Sequence, residues 1–364
     1  MTTDERAALD NDRVDAFTER VFGAMLGTQQ MYAIYLGDRL GWYRSLSQDG
    51  PATASELADR TGTSARYARE WLEQQAVCSY LEVDDAGAAP DDRRYHLPAE
   101  HAQVLAEELS ASYLTSMARA LVAPGRQIDA LVEAYRTGGG VSWEQQGVDA
   151  REGQASSNRP FLQLSFARDY LAAIPAVDAA LREGGRAADV GCGAGWSSIG
   201  IAQRYPTASV DGFDIDAPSI ELATRNAAAE GLSDRVRFTT TDVATLPEGT
   251  YDLVCAIECV HDMPDPVSVL SAMRRMVADD GTVLIVDERA AETFAPPGDE
   301  LEQYLYGFSL VVCLPDGLSA PNSVGTGTVM RPSKLQEYAR AAGFSSVETL
   351  DLDNDFFRFY VLRG

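Results

Sequence analysis

The feature that most constrains the fold is a regular alternation of short apolar runs and helical stretches that begins at residue 186. The runs are RAADVGC, SVDGFDI, RVRFTTTD, YDLVCAIEC and GTVLIVDE. Such alternation is typical of a parallel sheet with helices on both faces. The final segment, SSVETLDLDNDFFRFYVLRG, instead holds two consecutive strand patterns around a turn at Asp353-Asn354. We therefore predict an α/β fold whose mostly parallel seven-stranded sheet ends in an antiparallel hairpin.

A helical region with a pattern of its own precedes this sheet. Apolar positions near the N terminus predict two helices that are broken near Gly27. Thr53 or Ser55 can cap a short helix that Gly62 ends, and Ser64 opens another helix. The strand-like segments SYLEV and RRYHLP follow around a polar turn. Helix, turn, helix and hairpin together predict a winged-helix unit.

The two patterns divide the chain into two predicted domains. The mainly helical domain with the winged helix covers 1–180, and the α/β domain covers 181–364. An insertion over 289–332, between the fifth strand and the last helix, contains the Gly/Thr segment SVGTGTVM and is predicted to act as a lid.

Composition argues against nucleic-acid and membrane partners. The formal net charge is −25, and Lys334 is the only lysine. Because nucleic acids and anionic lipids are bound largely through cations, this chain is predicted to bind neither. The predicted winged helix also lacks a surplus of basic residues, since 53–78 holds four acids against three arginines. Five cysteines without framework spacing, no basic-apolar leader and no long apolar run predict a cytoplasmic protein.

The strongest chemical motif is the glycine turn after the first sheet strand, DVGCGAGW. Glycines at 191, 193 and 195 let the backbone turn sharply and approach a ligand without a Cβ in between. An NAD-binding turn would read G-x-G-x-x-G, whereas this one reads G-x-G-x-G with Asp189 two residues before it. A pyrophosphate disfavours a neighbouring anion, but Asp189 suits a ligand with a cationic amino group. This spacing counts against the alternative of an NAD-dependent oxidoreductase.

Further acids follow the next two strands. A carboxylate at Asp214, the end of the second strand, can accept both hydroxyls of an adenosine ribose, and Asp242 after the third strand can accept the adenine amine. Ligands of such sheets bind at this carboxyl edge. The predicted cofactor-binding set is therefore Asp189, Gly191, Cys192, Gly193, Gly195, Asp214, Ile215, Asp242, Val243 and Glu258.

These motifs resemble those of class I S-adenosylmethionine-dependent methyltransferases. The resemblance rests on DVGCGAGW, GFDID, TTDVATL, YDLVCAIECVHDMPDP and the final hairpin. With a winged helix in front, the chain is similar to actinobacterial small-molecule methyltransferases and to plant-type O-methyltransferases. The resemblance implies S-adenosylmethionine as cofactor, with Asp189 and the glycine turn at its methionine part, Asp214 at the ribose, and Asp242 with Val243 at the adenine. It also implies a homodimer formed through an N-terminal domain that helps to enclose a small-molecule substrate.

Methyl transfer needs alignment of the reactants and, for a hydroxyl acceptor, removal of a proton. Of the three histidines, only His261 follows the fourth strand, in ECVHDM. In the plant-type enzymes a general-base histidine stands in a His-Asp-Trp motif, and here Met263 replaces the tryptophan. Asp262 can orient His261, and Glu258 can contact cofactor or substrate, so these three form the predicted catalytic set. A capping role for His261 is the alternative.

No metal is predicted. Some relatives use the His-Asp pair as metal ligands together with a downstream histidine, but no histidine follows His261. Asp262, Glu258 and Glu288 leave an oxygen-rich cation site open as an alternative.

We expect an aromatic or apolar acceptor, methylated on a hydroxyl, in a pocket lined by aromatic side chains. N-, S- or C-methylation, with or without a metal, is an alternative, and a transcriptional regulator that senses a ligand is an alternative of another class. The predicted substrate residues are Tyr32, Trp143, Phe161, Phe166, Tyr304 and Phe308.

Overall fold

The computed structural model describes residues 9–245 and 250–364 and divides the chain into two compact units. One is Met1–Val122 and the other is Ala123–Gly364. The predicted domain boundary at 180/181 stays a prediction; in the structure, helical segments after residue 142 pack with the core of the second unit. Part of the segment on which the leader prediction rests, residues 1–8, lies outside the described residues.

The first unit contains the predicted winged helix. Thr53 caps its first helix in a capping box with Glu56, and Gly62 ends it in the left-handed conformation. Trp71 and Leu72 of the next helix are buried in a core beneath a very short two-stranded wing. The elements of the unit are α1 Asn11–Arg39, α2 Trp42–Gln48, α3 Ala54–Thr61, α4 Ala65–Val77, β1 Glu82–Val83, β2 Tyr95–His96 and α5 Ala99–Leu105; α6 Thr115–Gly125 extends across the boundary.

The predicted break near Gly27 is wrong, because α1 continues through it without interruption. A glycine inside a helix costs about 1 kcal/mol relative to alanine, which a helix of 29 residues tolerates. Much of the apolar surface of α1 is exposed, since Phe17 is 66% and Phe22 is 56% accessible.

The second unit is built on a seven-stranded sheet of the predicted class. Its strand order is β5-β4-β3-β6-β7-β9-β8; all neighbours are parallel except β9, which runs antiparallel to β7 and β8. The central strands are buried on both faces between two apolar clusters, so they read as nearly continuous apolar runs. The strands are β3 Arg186–Val190, β4 Ser209–Asp214, β5 Val236–Thr240, β6 Tyr251–Ile257, β7 Val277–Glu288, β8 Ser346–Thr349 and β9 Phe357–Arg363.

Nine α-helices belong to this unit in the described part of the chain, and five of them contact strands of the sheet, namely the third, fourth, fifth, sixth and ninth in chain order. The nine helices are α7 Ile128–Thr137, α8 Trp143–Arg159, α9 Pro175–Arg182, α10 Trp196–Arg204, α11 Ala217–Ala229, α12 Pro266–Met276, α13 Glu300–Phe308, α14 Leu314–Gly317 and α15 Pro332–Ala341. A π-helical segment, Pro160–Tyr170, continues α8 and packs on α10. The predicted turn at Asp353-Asn354 is instead a longer connection, in which Asn354 Oδ1 accepts hydrogen bonds from the backbone N–H groups of Phe356 and Phe357.

The predicted insertion over 289–332 holds α13, a π-helical segment Ser309–Cys313 and α14. Its role as a lid stays a prediction. No helix in the described part of the chain is long and apolar enough to span a membrane.

Candidate active site

The glycine turn connects β3 to α10 at the carboxyl edge of the sheet. Gly191, Gly193 and Gly195 all have positive φ, which favours glycine. A Cβ on Gly191 would lie 2.7 Å from the Cys259 sulfur, whereas a Cβ on Gly193 would meet no atom within 4 Å. The first glycine is thus required by packing, and the second presents bare backbone to open space where a ligand can approach.

Asp189 lies beneath this turn and is 1% exposed. Its Oδ2 accepts hydrogen bonds from the hydroxyls of Ser197, at 2.5 Å, and Ser198, at 2.6 Å. Burial raises the pKa of Asp189, and the two hydroxyl donors oppose that shift. The carboxylate therefore holds the first turn of α10 in place under the loop. Its predicted contact with an amino group of the cofactor stays a prediction.

Asp214 closes β4 beside the turn. Its Oδ2 accepts from the backbone N–H of Gly193 at 2.9 Å, and its Oδ1 accepts from that of Asp216 at 2.8 Å. Burial raises the pKa of Asp214 in spite of these donors. The following Ile215 is 71% exposed, which presents an apolar side chain next to a carboxylate at the strand tip.

Two further residues of the predicted cofactor set follow β5. Asp242 is exposed and its Oδ1 accepts from the backbone N–H of Ala244 at 2.9 Å, while Val243 is buried. Cys192 is also buried, packed against β4 at Gly212. These features suit the three parts of an adenosyl cofactor. The open glycine turn suits the methionine part, Asp214 beside the exposed Ile215 suits the ribose, and the exposed Asp242 suits the adenine. The residues present therefore fit S-adenosylmethionine.

His261 lies in a 3₁₀ turn after β6 and is buried among carboxylates. Its Nδ1 is 2.8 Å from Asp287 Oδ1 and 3.1 Å from Glu288 Oε2, and its Nε2 is 3.3 Å from Asp262 Oδ1. Burial alone would lower the pKa of His261, but Asp262, Glu288 and Asp287 raise it well above its usual value. His261 in turn outweighs burial at Asp287 and lowers the pKa of that carboxyl. Burial raises the pKa of Glu288 well above its usual value.

Glu258 precedes this turn and has a backbone conformation that is unusual for its type. Its φ is 53°, a left-handed value that costs a residue with a Cβ about 1–3 kcal/mol. Its Oε1 accepts a hydrogen bond from Gln154 at 3.1 Å, and its Oε2 accepts one from Asn158. Burial raises the pKa of Glu258 to about 7. Such strain and such a shift are typical of functional sites.

His261 also belongs to two sets of candidate metal ligands whose atoms lie within 4.8 Å of one another. One set adds Asp262 and Cys313, and the other adds Asp287 and Glu288. The prediction that no metal binds stays a prediction. Burial raises the pKa of Cys255 and Cys259 well above the usual thiol value, which indicates unreactive core thiols.

The predicted substrate residues differ in how accessible their side chains are. Tyr304 and Phe308 of α13 are partly accessible and pack with ring centroids 4.9 Å apart. Phe161 stacks on Phe357, but Phe166 is fully buried in the core and offers no surface to a ligand. The backbone N–H of Trp143 donates to Asp316 at the start of α8. Tyr32 belongs to the first unit and is 52% exposed.

Several residues of the site have no counterpart among the predicted ones. Asp287 could have been found, because it lies one residue before the end of a buried strand, close to the strand end as Asp214 is. Ser197 and Ser198 follow the glycine turn in the sequence, yet nothing there says that they face Asp189. Three site residues on α8 could not be found from the sequence, because only the packing of that helix brings them to the carboxyl edge. Gln154 and Asn158 contact Glu258, and Arg151 forms an ion pair with two hydrogen bonds to Asp216.

Two family models match the chain, one over the α/β domain and one over the winged helix. Residues 181–313 match a model described as a methyltransferase domain, and residues 30–107 match one described as an Rv2258c-like winged HTH domain.

Curated relatives cover parts of the chain. Ajmaline N-methyltransferase of Rauvolfia serpentina is 32% identical over 100 residues, which are 27% of this chain and 34% of that protein. The probable chloroplastic tocopherol O-methyltransferase of Oryza sativa subsp. japonica is 32% identical over 140 residues, 38% of each chain. The chain thus spans little more than a third of the length of these two relatives. The ubiquinone biosynthesis O-methyltransferase of Paracidovorax citrulli is 30% identical over 189 residues, 50% of this chain and 73% of that protein.

Solved structures share the fold over nearly the whole length. The mitomycin 7-O-methyltransferase MmcR has a TM-score of 0.71 at 22% identity, covering 97% of this chain and 99% of its own. Human N-acetylserotonin methyltransferase, solved in complex with SAM, has a TM-score of 0.71 at 18% identity, covering 98% and 99%.

The fold and the site define a class I Rossmann-like methyltransferase domain that follows a winged helix-turn-helix domain. The chain belongs to the S-adenosylmethionine-dependent methyltransferases, and S-adenosylmethionine is its cofactor. This assignment replaces the alternative of an NAD-dependent oxidoreductase.

Proposed function

We propose that the protein methylates a hydroxyl group of a small aromatic or apolar molecule, with His261 as general base. The observation that carries the proposal is the contact between His261 Nδ1 and Asp287 Oδ1, at 2.8 Å and buried from water. A carboxylate that accepts the Nδ1 proton fixes the neutral tautomer, so that Nε2 has the lone pair. This is the arrangement that a histidine base needs.

The protein's own task is to align and deprotonate, because bound S-adenosylmethionine supplies an activated methyl group and a neutral leaving group. His261 Nε2 would take the hydroxyl proton as the new bond forms, and Asp287 would stabilise the resulting imidazolium. Asp262 Oδ1 lies 3.3 Å from Nε2, on the side where the proton arrives. Tyr304 and Phe308 would hold an aromatic acceptor.

The test measures cofactor binding and methyl transfer separately. Wild-type protein should bind S-adenosylhomocysteine in isothermal titration. With S-adenosylmethionine and a panel of phenolic acceptors, it should form S-adenosylhomocysteine as the product of methyl transfer. His261→Ala should keep that affinity and lose at least about a hundredfold in turnover, the usual contribution of a general base. Full turnover by His261→Ala would remove the base assignment, and transfer only to amines, thiols or carbon acids would favour the corresponding alternative acceptor.

We further propose that the winged helix serves as a scaffold and that the chain forms a homodimer through the first unit. The arginines of α4 are engaged with acids, since Arg66 pairs with Glu70 and Arg69 pairs with Asp91. They therefore offer little free charge to a phosphate backbone. Absence of a gel shift with DNA at physiological salt is expected, and a specific shift would support the regulator alternative.

The dimer proposal is supported by the exposed apolar side chains of α1, because a long helix with such a surface typically packs against a partner. Light scattering should give twice the chain mass for the wild type. The variant Phe17→Ser/Phe22→Ser should shift it toward the single-chain mass. A monomeric wild type would contradict the proposal.

A further inference from the structure

Three side chains with metal-binding atoms meet in the turn after β6. His261, Asp262 and Cys313 each offer one ligand atom, and these atoms all lie within 4.8 Å of one another. His261 and Cys313 are buried, whereas the side chain of Asp262 is 33% exposed, so the cluster is not sealed from solvent. Nitrogen, oxygen and sulfur donors together are a set that zinc binds in proteins. A zinc ion can therefore find three ligands here.

One distance in this cluster fits two ligands on a single metal ion. His261 Nε2 is 3.3 Å from Asp262 Oδ1, and that oxygen accepts no hydrogen bond from the described residues. With metal bonds of about 2.0–2.2 Å and tetrahedral angles, nitrogen and oxygen ligands of zinc lie roughly 3.3–3.5 Å apart. The two atoms are thus already at the separation that a shared zinc ion requires.

The other ring nitrogen of His261 is held as it is in metal-binding histidines. Nδ1 is 2.8 Å from Asp287 Oδ1, and the two residues are 2% and 1% exposed. A histidine that binds a metal almost always donates its second N–H to a carboxylate, a carbonyl or water, which fixes the tautomer and the orientation of the ring. Nε2, the nitrogen that faces Asp262, is then the metal-binding atom.

The sulfur donor comes from the insertion, which is fixed on the His261 turn. The backbone N–H of Gly327 donates to the carbonyl of His261 at 3.1 Å, and that of Val324 donates to the carbonyl of Pro264 at 3.0 Å. Cys313 ends the π-helical segment of the same insertion. The insertion thus adds a sulfur atom to a histidine and an aspartate that are adjacent in the chain.

We propose that His261, Asp262 and Cys313 bind a zinc ion, which inhibits methyl transfer. The ion would occupy the Nε2 lone pair that the general base needs, and the thiol proton of Cys313 would leave to solvent as the sulfur binds. The metal is thus an inhibitor and not a resident cofactor, since turnover proceeds without it. The inhibition rests on the proposed function, whereas the binding of zinc does not.

The first measurement uses cobalt(II), a coloured ion that accepts the same ligands as zinc. Reduced full-length protein is titrated with cobalt(II) without any acceptor. One equivalent should produce the near-ultraviolet charge-transfer band of a cobalt–sulfur bond, and zinc should remove the band by displacing cobalt. Cys313→Ser should show no band. Cys78→Ser, at a free cysteine of the first unit, is the matched control and should show the wild-type band.

A second variant keeps the test decisive if Cys313→Ser does not fold. Asp262→Asn preserves the size of the side chain and should weaken cobalt(II) binding at least about tenfold, since even the outer-shell partners of metal ligands contribute about 10–100-fold in affinity.

Inhibition is measured as the initial rate of methyl transfer with a slight excess of zinc, divided by the rate with EDTA. For the wild type this ratio should fall below about one tenth, because a general base contributes at least about a hundredfold. Cys313→Ser binds zinc more weakly, so its own ratio should be closer to one.

The inference is overturned if the wild type gives no cobalt–sulfur band, if Cys313→Ser retains the band, or if Asp262→Asn binds cobalt(II) as tightly as the wild type. It is also overturned if zinc leaves the rate unchanged or raises it, or if EDTA abolishes turnover. If zinc binds through Cys313 but no acceptor is methylated in the presence of EDTA, the proposed function fails and the metal site stands.

Discussion

Replacing Gly193 with alanine tests whether the open backbone of the glycine turn faces the cofactor. An added Cβ would meet no protein atom within 4 Å, so the substitution creates no clash inside the protein. Its cost to folding is the left-handed conformation, with φ at 49°, which is about 1–2 kcal/mol for an alanine. In a domain of this size each kcal/mol lowers Tm by about 2–4 °C. The variant should therefore fold.

Cofactor affinity should fall much more than stability does. If the turn lies against the methionine part of the cofactor, a methyl group on Gly193 occupies the space that the ligand needs. A loss of at least about tenfold in affinity for S-adenosylhomocysteine is expected, or about 1.4 kcal/mol of binding free energy. Isothermal titration measures this loss, and thermal unfolding of the ligand-free variant measures the change in stability.

Gly231→Ala is the matched control. Gly231 also has a positive φ, 70°, and a Cβ there would meet nothing within 4 Å. It follows the far end of α11, about 20 Å along that helix from the tip of β4. The control should thus show a similar change in Tm and wild-type affinity. Equal affinities in Gly193→Ala and Gly231→Ala would refute the assignment of the turn.

Two further predictions concern charge at the site. Asp214→Asn should weaken S-adenosylhomocysteine binding at least about tenfold, or about 1.4 kcal/mol of binding free energy. The reason is that an amide replaces the carboxylate that would accept the ribose hydroxyls. Unchanged affinity would contradict that role. The pH dependence follows from the raised pKa of His261. Initial rates of S-adenosylhomocysteine formation should rise with pH as His261 loses its proton, with a midpoint above the usual histidine value of about 6.5. Over the same range Tm should fall, since stabilisation by the charged His261 is complete below its unfolded-state pKa and is lost as pH rises through its folded-state pKa. A rate independent of pH would exclude His261 as the base.

Much of the site could be predicted because it follows strand ends. The glycine turn, Asp214 and His261 lie at the end of a buried apolar strand or within a few residues after it, and parallel strands bring their carboxyl ends to one edge. Asp287 obeys the same rule. By contrast, Phe166 has the composition of a pocket residue and is buried in the core, because its position is set by packing of the π-helical segment against α10.

The sequence by itself determined the sheet class and the winged helix, since these depend on periodicity and on residues adjacent in the chain. Its motifs also indicated the cofactor, through their resemblance to a known family. Only the tertiary structure decided which groups from distant segments meet at the carboxyl edge of the sheet. Gln154 and Asn158 reach Glu258 across about a hundred residues of chain, and Asp287 reaches His261 from the neighbouring strand. Helix packing and strand order create these contacts, and neither leaves a local trace in the sequence. The electrostatics of the buried histidine and its carboxylates is therefore a property of the folded chain.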